Sequence, residues 1–171
     1  MTAPRTLPAS PLRVLFLDFD GVLHPFGPKA GTGMLGPRAV HETGEFCWMP
    51  ELVNALQGRE DVGLVVHSSW RDIQTEAELA NLLAGTGVPF LGATPRGDRA
   101  ESILKWLTAH PAVTDFCILD DQAGKFPRSL KPHLIACPRL KGLSAKPVQK
   151  KLQAWLARTP DDLATTVAPA N

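Results

Sequence analysis

The 171-residue sequence lacks the features that mark membrane-bound, secreted or disulfide-rich proteins. No apolar run reaches the length that spans a bilayer, and no apolar core of secretory length precedes Leu12. The chain has only three cysteines, at positions 47, 117 and 137, and the last two fall in predicted buried strands. We therefore expect a cytoplasmic protein with reduced thiols, no membrane partner and a core large enough for one domain.

The chain also lacks internal repeats and any interval that suggests a second domain. Residues 1–11 are rich in proline and predict a flexible leader, while residues 159–171, with prolines and small residues, predict a flexible tail. We expect residues 12–158 to form a single domain.

Five short apolar runs predict the strands of a parallel sheet, because most of the intervals between them carry helical patterns. The runs span residues 14–17, 62–66, 88–91, 116–119 and 134–137. Helices are expected at 50–57, 72–84 and 144–157, and another that Arg99 opens. The fold class predicted by this order is α/β, with a three-layer Rossmann-like parallel sheet of about five strands.

Two aspartates follow the first strand, where its apolar run stops. Asp18 and Asp20 lie two positions apart, and Gly21 lets the backbone turn after them. Carboxylates this close repel each other unless a cation or a shared proton compensates. The pair therefore indicates either a metal site or a coupled nucleophile and acid, with an ordinary capped turn as the alternative.

Further polar residues follow other strands. The segment HSSWR at 67–71 follows the second strand, Asp120 and Asp121 follow the fourth, and Arg99 opens the helix between the third and fourth. Ligands of open α/β sheets bind beyond the carboxyl ends of the strands, so we expect these side chains to share one site.

In this order the motifs resemble those of the haloacid dehalogenase superfamily, mostly magnesium-dependent phosphohydrolases with an aspartate nucleophile. DFDGVL resembles the first motif, the hydroxyl after VGLVVH the second, the cation of RGDRAES the third and ILDD the fourth, over roughly residues 12 to 140. DGVLHP, SSWR and ILDD are more narrowly similar to small capless domains of the superfamily, including those associated with nucleic-acid end repair.

The resemblance implies roles for the four aspartates in phosphate-ester hydrolysis. Asp18 would be the nucleophile that forms an aspartyl-phosphate, and Asp20 the acid and then the base. Asp121, with Asp120 assisting, would complete a Mg²⁺ site with the Asp18 carboxylate and the Asp20 backbone carbonyl. Many relatives carry another acid four or five positions further on, where this chain has none.

The resemblance also implies a hydroxyl group and a cation in the site, and the sequence offers two candidates for each. Ser68 directly follows the second strand and would donate to a phosphoryl oxygen, but Ser69 is an alternative, and one of the two serines is expected to be a helix cap. Arg99 would hold Asp18 and the phosphate together. Arg96 lies in the same loop and would take that role if the alignment shifted.

Two more residues are candidates for substrate binding. The planar fork of Arg71 would reach a substrate phosphate, unless it lies on a solvated helix face. His24 would line the entrance, although a local hydrogen bond is the more common explanation for a lone histidine.

The site is expected to be open. The resemblance places cap domains in two intervals, and both are too short here for a large cap. Open members of the superfamily act on large substrates, such as nucleic-acid ends or phosphoproteins, or rely on a partner protein to cover the site.

The distribution of charge supports a polyanionic substrate. Residues 122–160, which we call the basic segment, contain no Asp or Glu but hold nine of the 18 Lys and Arg residues. The preceding 121 residues carry 15 acidic and nine basic residues. The basic segment could steer a polyanion, or it could be an ordinary solvated helix face.

The sequence therefore predicts a magnesium-dependent phosphomonoester hydrolase with an aspartate nucleophile and Mg²⁺ as cofactor. The alternative is a phosphate- or nucleic-acid-binding module with little or no catalysis. A phosphorylation-receiving signalling domain fits less well, because it has no second acid pair after a later strand.

Overall fold

A computed structural model describes residues 12–26, 44–159 and 162. The predicted leader and most of the predicted tail lie outside the described residues, as does most of the Gly- and Pro-rich interval after the first strand.

The described residues contain five parallel strands: β1 (Leu12–Leu17), β2 (Val62–Val66), β3 (Phe90–Ala93), β4 (Val113–Asp120) and β5 (Leu134–Ala136). They form one sheet in the order β3-β2-β1-β4-β5, which confirms the predicted fold class. The central strand pairs with both neighbours, so that Leu17 lies opposite Val66 on one side and Leu119 on the other.

One strand begins later than predicted. The apolar run at 88–91 indicates a strand from Val88, but β3 spans Phe90–Ala93. Pro89 has no backbone N–H, and it joins the sheet only through its carbonyl oxygen, which accepts a hydrogen bond of 2.8 Å from the Leu64 N–H.

The described residues form four α-helices, of which three connect strands and the fourth follows β5. They are α1 (Met49–Leu56), α2 (Glu76–Leu83), α3 (Arg99–Ala109) and α4 (Lys146–Leu156). One of them differs from the prediction. The helix expected at 72–84 begins only at Glu76, because the Thr75 hydroxyl accepts from the Glu78 N–H and the Glu78 carboxylate accepts from the Thr75 N–H. A separate 3₁₀ turn, Ser69–Asp72, precedes it.

The alternation of side chains along β1 sends two cores to opposite faces of the sheet. Leu15 and Leu17 belong to the core that includes residues of α1, α2 and α4. Val14 and Phe16 belong to the core that includes residues of α3. These packed layers confirm the predicted three-layer architecture and hold β1 at the centre, with its carboxyl end between those of β2 and β4.

None of the helices in the part of the chain that the structure describes has the length and apolarity that crossing a bilayer requires.

A buried arginine ties the start of β1 to the end of α4. Arg13 is 2% exposed, and its guanidinium contacts Asp115 at 3.3 Å and donates to the carbonyl oxygens of Trp155 and Leu156. Arg158 also contacts Asp115, but its side chain is 41% exposed. Because Asp115 is buried, its negative charge is balanced mainly by the buried Arg13.

Replacing Arg13 should therefore destabilise the fold strongly. We expect Arg13→Met to lower the free energy of unfolding in urea by about 3 kcal/mol, since it leaves a buried carboxylate with a weaker partner. The matched variant Arg158→Met breaks a half-exposed pair and should cost about 1 kcal/mol or less. If the two variants lost the same free energy of unfolding, Arg13 would not be the main partner that stabilises buried Asp115.

Candidate active site

The carboxyl ends of β1, β2 and β4 bring the predicted site residues to one edge of the sheet. Backbone hydrogen bonds continue past the ends of the strands, with the Asp18 N–H donating to the Leu119 carbonyl at 3.0 Å and the His67 N–H to the Leu17 carbonyl at 2.8 Å. The residues that directly follow β1 and β2 are therefore held by the sheet itself.

An arginine joins two buried carboxylates at this edge. Asp18 is 1% exposed and Asp120 is fully buried. Arg99 Nη1 lies 2.9 Å from Asp18 Oδ2 and also donates to Asp120 Oδ2. Arg99 is the first residue of α3, and the side chain of Asp98 caps that helix by accepting from the Glu101 N–H at 3.1 Å. The helix start thus places the guanidinium between the two carboxylates.

The structure distinguishes between the two candidate cations. Arg99 lies against Asp18, whereas Arg96 forms an ion pair of 3.1 Å with Asp72 and has a side chain that is 75% exposed. Arg96 is therefore a surface residue of the loop before α3.

The buried carboxylates are costly to charge. Burial, together with the neighbouring Asp120 carboxylate, raises the pKa of Asp18 to about 7, although Arg99 acts in the opposite direction. Burial likewise raises the pKa of Asp120 against the effect of Arg99. A further positive charge at this edge would favour the ionised forms of both groups.

A third carboxylate completes a group that could hold a metal ion. Among the described residues, Asp18, Asp120 and Asp121 each offer an oxygen, and these atoms lie within 4.8 Å of one another. Asp121 Oδ2 accepts from Arg139 Nε at 2.7 Å, while Asp121 Oδ1 is buried and has no hydrogen-bond partner in the described part of the chain.

The side chain of Asp121 packs against the backbone of residue 21, and it fits there only because that residue is glycine. Gly21 has a φ of +72°, and a Cβ there would lie 2.8 Å from the Asp121 side chain. An unpartnered buried oxygen among three carboxylates fits a hard divalent cation such as Mg²⁺. The predicted contribution of the Asp20 backbone carbonyl stays a prediction.

The Asp20 carboxylate is engaged by two other side chains. Its Oδ1 lies 2.8 Å from His24 Nε2, and its Oδ2 accepts from Trp70 Nε1 at 3.2 Å. His24 is 1% exposed, so the structure favours the local hydrogen bond over a place at the entrance. The Asp20 side chain itself is 28% exposed.

The two serines lie in different surroundings. Ser68 is fully buried, and its Oγ accepts from the Trp70 N–H at 3.4 Å as the cap of the 3₁₀ turn. Ser69, the first residue of that turn, is exposed. A hydroxyl that accepts one hydrogen bond still has a hydrogen to donate, so capping does not exclude the predicted contact of Ser68 with a phosphoryl oxygen.

Arg71 is folded back against the same turn. Its Nη1 donates to the Ser68 carbonyl at 2.9 Å, and its Nε is buried with no partner among the described residues. Arg71 lies in the 3₁₀ turn that follows the carboxyl end of β2. Burial lowers the pKa of Arg71, and its charge also interacts with those of Asp72, Arg99 and Asp18. Arg71 therefore does not lie on a fully solvated helix face.

Two further residues of the site, His67 and Arg139, had no individual role assigned from the sequence. His67 is fully buried, with Nδ1 at 3.1 Å from Thr94 Oγ1 and Nε2 at 3.9 Å from Asp120 Oδ2. Burial, with the charges of Arg99 and Arg71, lowers the pKa of His67 to about 3, so the ring is neutral at neutral pH. Its position directly after β2, equivalent to that of Asp18 after β1, was the signal available in the sequence.

Arg139 is the other missed residue. In the sequence it is one charge of the basic segment, whereas in the structure it holds Asp121 and its guanidinium lies 4.0 Å from the ring centroid of Phe26. Nothing in the sequence indicated this pairing.

Comparison with protein families agrees with this geometry. Residues 14–148 match the family described as the HAD domain in Swiss Army Knife RNA repair proteins, where HAD stands for haloacid dehalogenase. The chain belongs to this family. The match confirms the resemblance drawn from the motifs and supports a HAD-type hydrolase associated with RNA repair. Searches of curated proteins and of solved structures found no match.

If the three carboxylates of this HAD domain bind Mg²⁺, the ion should stabilise the fold. We expect MgCl₂ to raise the midpoint of thermal unfolding of the parent protein, by the equivalent of about 2.7 kcal/mol at a hundredfold excess over Kd. Asp121→Asn should lose most of this gain, because it removes one negative ligand.

Glu60→Gln provides the control, since it removes one negative charge from an exposed position outside the site. It should keep the parent's response. Equal magnesium-dependent shifts in the parent and in Asp121→Asn would contradict the assignment of the metal site.

Proposed function

We propose that this HAD domain is a magnesium-dependent phosphomonoester hydrolase that uses Asp18 as nucleophile on a phosphorylated nucleic-acid end. The observation that carries the proposal is the bridge of Arg99 between buried Asp18 and Asp120, beside the unpartnered oxygen of Asp121.

Asp18 is held in one orientation. Its Oδ1 accepts from the Phe19 N–H at 2.8 Å and its Oδ2 accepts from Arg99 at 2.9 Å. A fixed nucleophile and a cation that can also neutralise phosphoryl oxygens are what an in-line displacement requires.

The reaction that we propose has two displacements. Asp18 attacks phosphorus, the bond from phosphorus to the ester oxygen breaks, and Asp20 gives its proton to the departing oxygen. Water then attacks the phosphorus of the aspartyl-phosphate while Asp20 takes a proton back, which releases phosphate and restores Asp18.

Other residues would support these steps. Asp18, Asp120 and Asp121 would hold Mg²⁺, which when bound would neutralise charge on the phosphoryl group. Ser68, or Ser69 as the alternative, would donate to a phosphoryl oxygen.

Arg71 is the candidate for a further phosphate contact. Its unpartnered Nε and its place at the edge of the sheet support this role.

The family and the surface charges favour a nucleic-acid end over a phosphoprotein. Two arginines of the basic segment are engaged by Asp121 and Asp115. The others in the segment are exposed and lie in two groups: Lys125, Arg128 and Lys131 shortly after β4, and Lys141, Lys146, Lys150 and Lys151 at or near α4. The first group follows the Asp120–Asp121 pair most closely along the chain.

The role of Asp18 can be tested with a simple aryl phosphate. Asp18→Asn should lower kcat/KM by roughly three orders of magnitude or more, because the covalent route needs the carboxylate. Hydrolysis by the parent should require added Mg²⁺. Asp162→Asn, an exposed substitution of the same kind, should behave as the parent does. Turnover by Asp18→Asn at a rate near the parent's would exclude the proposed nucleophile.

The substrate class can be tested by salt dependence. For a 5′- or 3′-phosphorylated RNA oligonucleotide, kcat/KM should fall steeply as salt rises, because bound phosphates release counterions, whereas a small aryl phosphate should respond little. Reversing Lys125, Arg128 and Lys131 to Glu should weaken only the RNA reaction. Replacing Lys146, Lys150 and Lys151 with Glu gives a second triple variant, with the same change of charge on α4, for comparison with the first.

Unchanged salt slopes in both triple variants would show that the basic segment does not guide the substrate. An acidic phosphopeptide, run in parallel, would then be the better substrate if the target is a phosphoprotein.

A further inference from the structure

The carboxylate of Asp20 is held from two sides by elements that are distant in sequence. Each of its oxygens accepts one hydrogen bond, Oδ1 from His24 and Oδ2 from Trp70. The two donors arrive from the loop after β1 and from the 3₁₀ turn after β2. Rotation of the carboxylate would break both bonds.

The first donor is oriented from its other ring nitrogen. His24 Nδ1 accepts from the Phe46 N–H at 3.5 Å, and in this arrangement Nε2 carries a proton and faces Asp20. The backbone also holds this turn, because the Gly21 N–H donates to the His24 carbonyl at 2.9 Å.

The second donor is fixed by packing. Trp70 is 2% exposed, and its ring lies 5.5 Å from Phe19, 5.3 Å from Phe46 and 5.8 Å from His24, measured between centroids. An indole nitrogen can only donate, so its acceptor must be a group such as the Asp20 carboxylate. The same aromatic cluster therefore carries both donors.

We propose that His24 and Trp70 are positioning residues that aim the Asp20 carboxyl group at the leaving oxygen of the substrate. The inference rests on the proposed function, in which Asp20 transfers the proton. Each Asp20 oxygen keeps lone-pair capacity beyond its one bond, and the side chain is 28% exposed, so the group remains open on one side. Fixed orientation is what a proton donor needs at the moment the ester bond breaks.

A positioning role predicts a dependence on the leaving group. A sugar or alkyl alkoxide needs a proton as it departs, whereas dinitrophenolate leaves without one. General acid catalysis contributes about 10²- to 10⁴-fold, and only for the first kind of substrate. Loss of packing alone would lower the reaction of both substrates by the same factor.

The experiment compares kcat/KM for ribose 5-phosphate and for 2,4-dinitrophenyl phosphate. Trp70→Phe keeps an aromatic ring but deletes the N–H, and His24→Leu deletes the other donor. Both should lose at least about tenfold more on ribose 5-phosphate than on the aryl ester. His24→Gln can still donate an N–H from a similar position and should recover much of the lost discrimination.

Three controls separate the possible failures. Trp106→Phe makes the same substitution in the core on the other face of the sheet, where Trp106 packs against Phe16, and should affect both substrates alike. Thermal unfolding should show that each variant is folded, and if Trp70→Phe is not, the comparison of His24→Leu with His24→Gln decides. Asp20→Asn removes the proton donor itself, and it therefore measures how strongly kcat/KM depends on the leaving group when no proton is supplied.

The outcomes distinguish the inference from the function beneath it. Leaving-group dependence in Asp20→Asn but equal effects on both substrates in the His24 and Trp70 variants would overturn the positioning role and leave the proposed function intact. If Asp20→Asn lowered kcat/KM equally for both substrates, Asp20 would not be the proton donor, and the positioning role of His24 and Trp70 would fail with it.

Discussion

Three carboxylates lie together at the carboxyl end of the sheet, and the positive charge of Arg99 and Arg139 holds them there. Arg99 joins Asp18 to Asp120, and Arg139 holds one oxygen of Asp121. Burial makes these charges costly, which the raised pKa of Asp18 expresses directly. The fold tolerates this cost because the strands, the start of α3 and the segment after β5 hold the charged partners in place. In the proposed function, this group of carboxylates would receive the cation beside the phosphoryl group.

Much of this arrangement follows from local sequence patterns. The apolar run of β1 ends at Leu17, so Asp18 had to emerge at the edge of the sheet, and the same reasoning places Asp120 at the end of β4. The boundary of α2 was predicted too early because the capping box of Thr75 and Glu78 outweighed the longer helical pattern.

Other features required the three-dimensional structure. The bonds of Trp70 and His24 to Asp20, and of Arg139 to Asp121, join residues whose proximity depends on how the loops pack. Arg96 and Arg99 are three positions apart, and only the packed structure shows that Arg99 lies against Asp18 while Arg96 pairs with Asp72. Sequence patterns thus predicted which side chains meet at this edge of the sheet, whereas the groups that orient the carboxylates became visible only in the packed structure.

The proposed function requires that Asp18 becomes covalently phosphorylated during turnover. Rapid quenching of the reaction with phosphorylated RNA or an aryl phosphate, followed by borohydride reduction and peptide mass spectrometry, tests it most directly, because reduction of an aspartyl-phosphate leaves homoserine. Homoserine at position 18, formed only when substrate and Mg²⁺ are both present, is the result that we predict. Reduction at another aspartate, or at none while phosphate is released, would contradict the account.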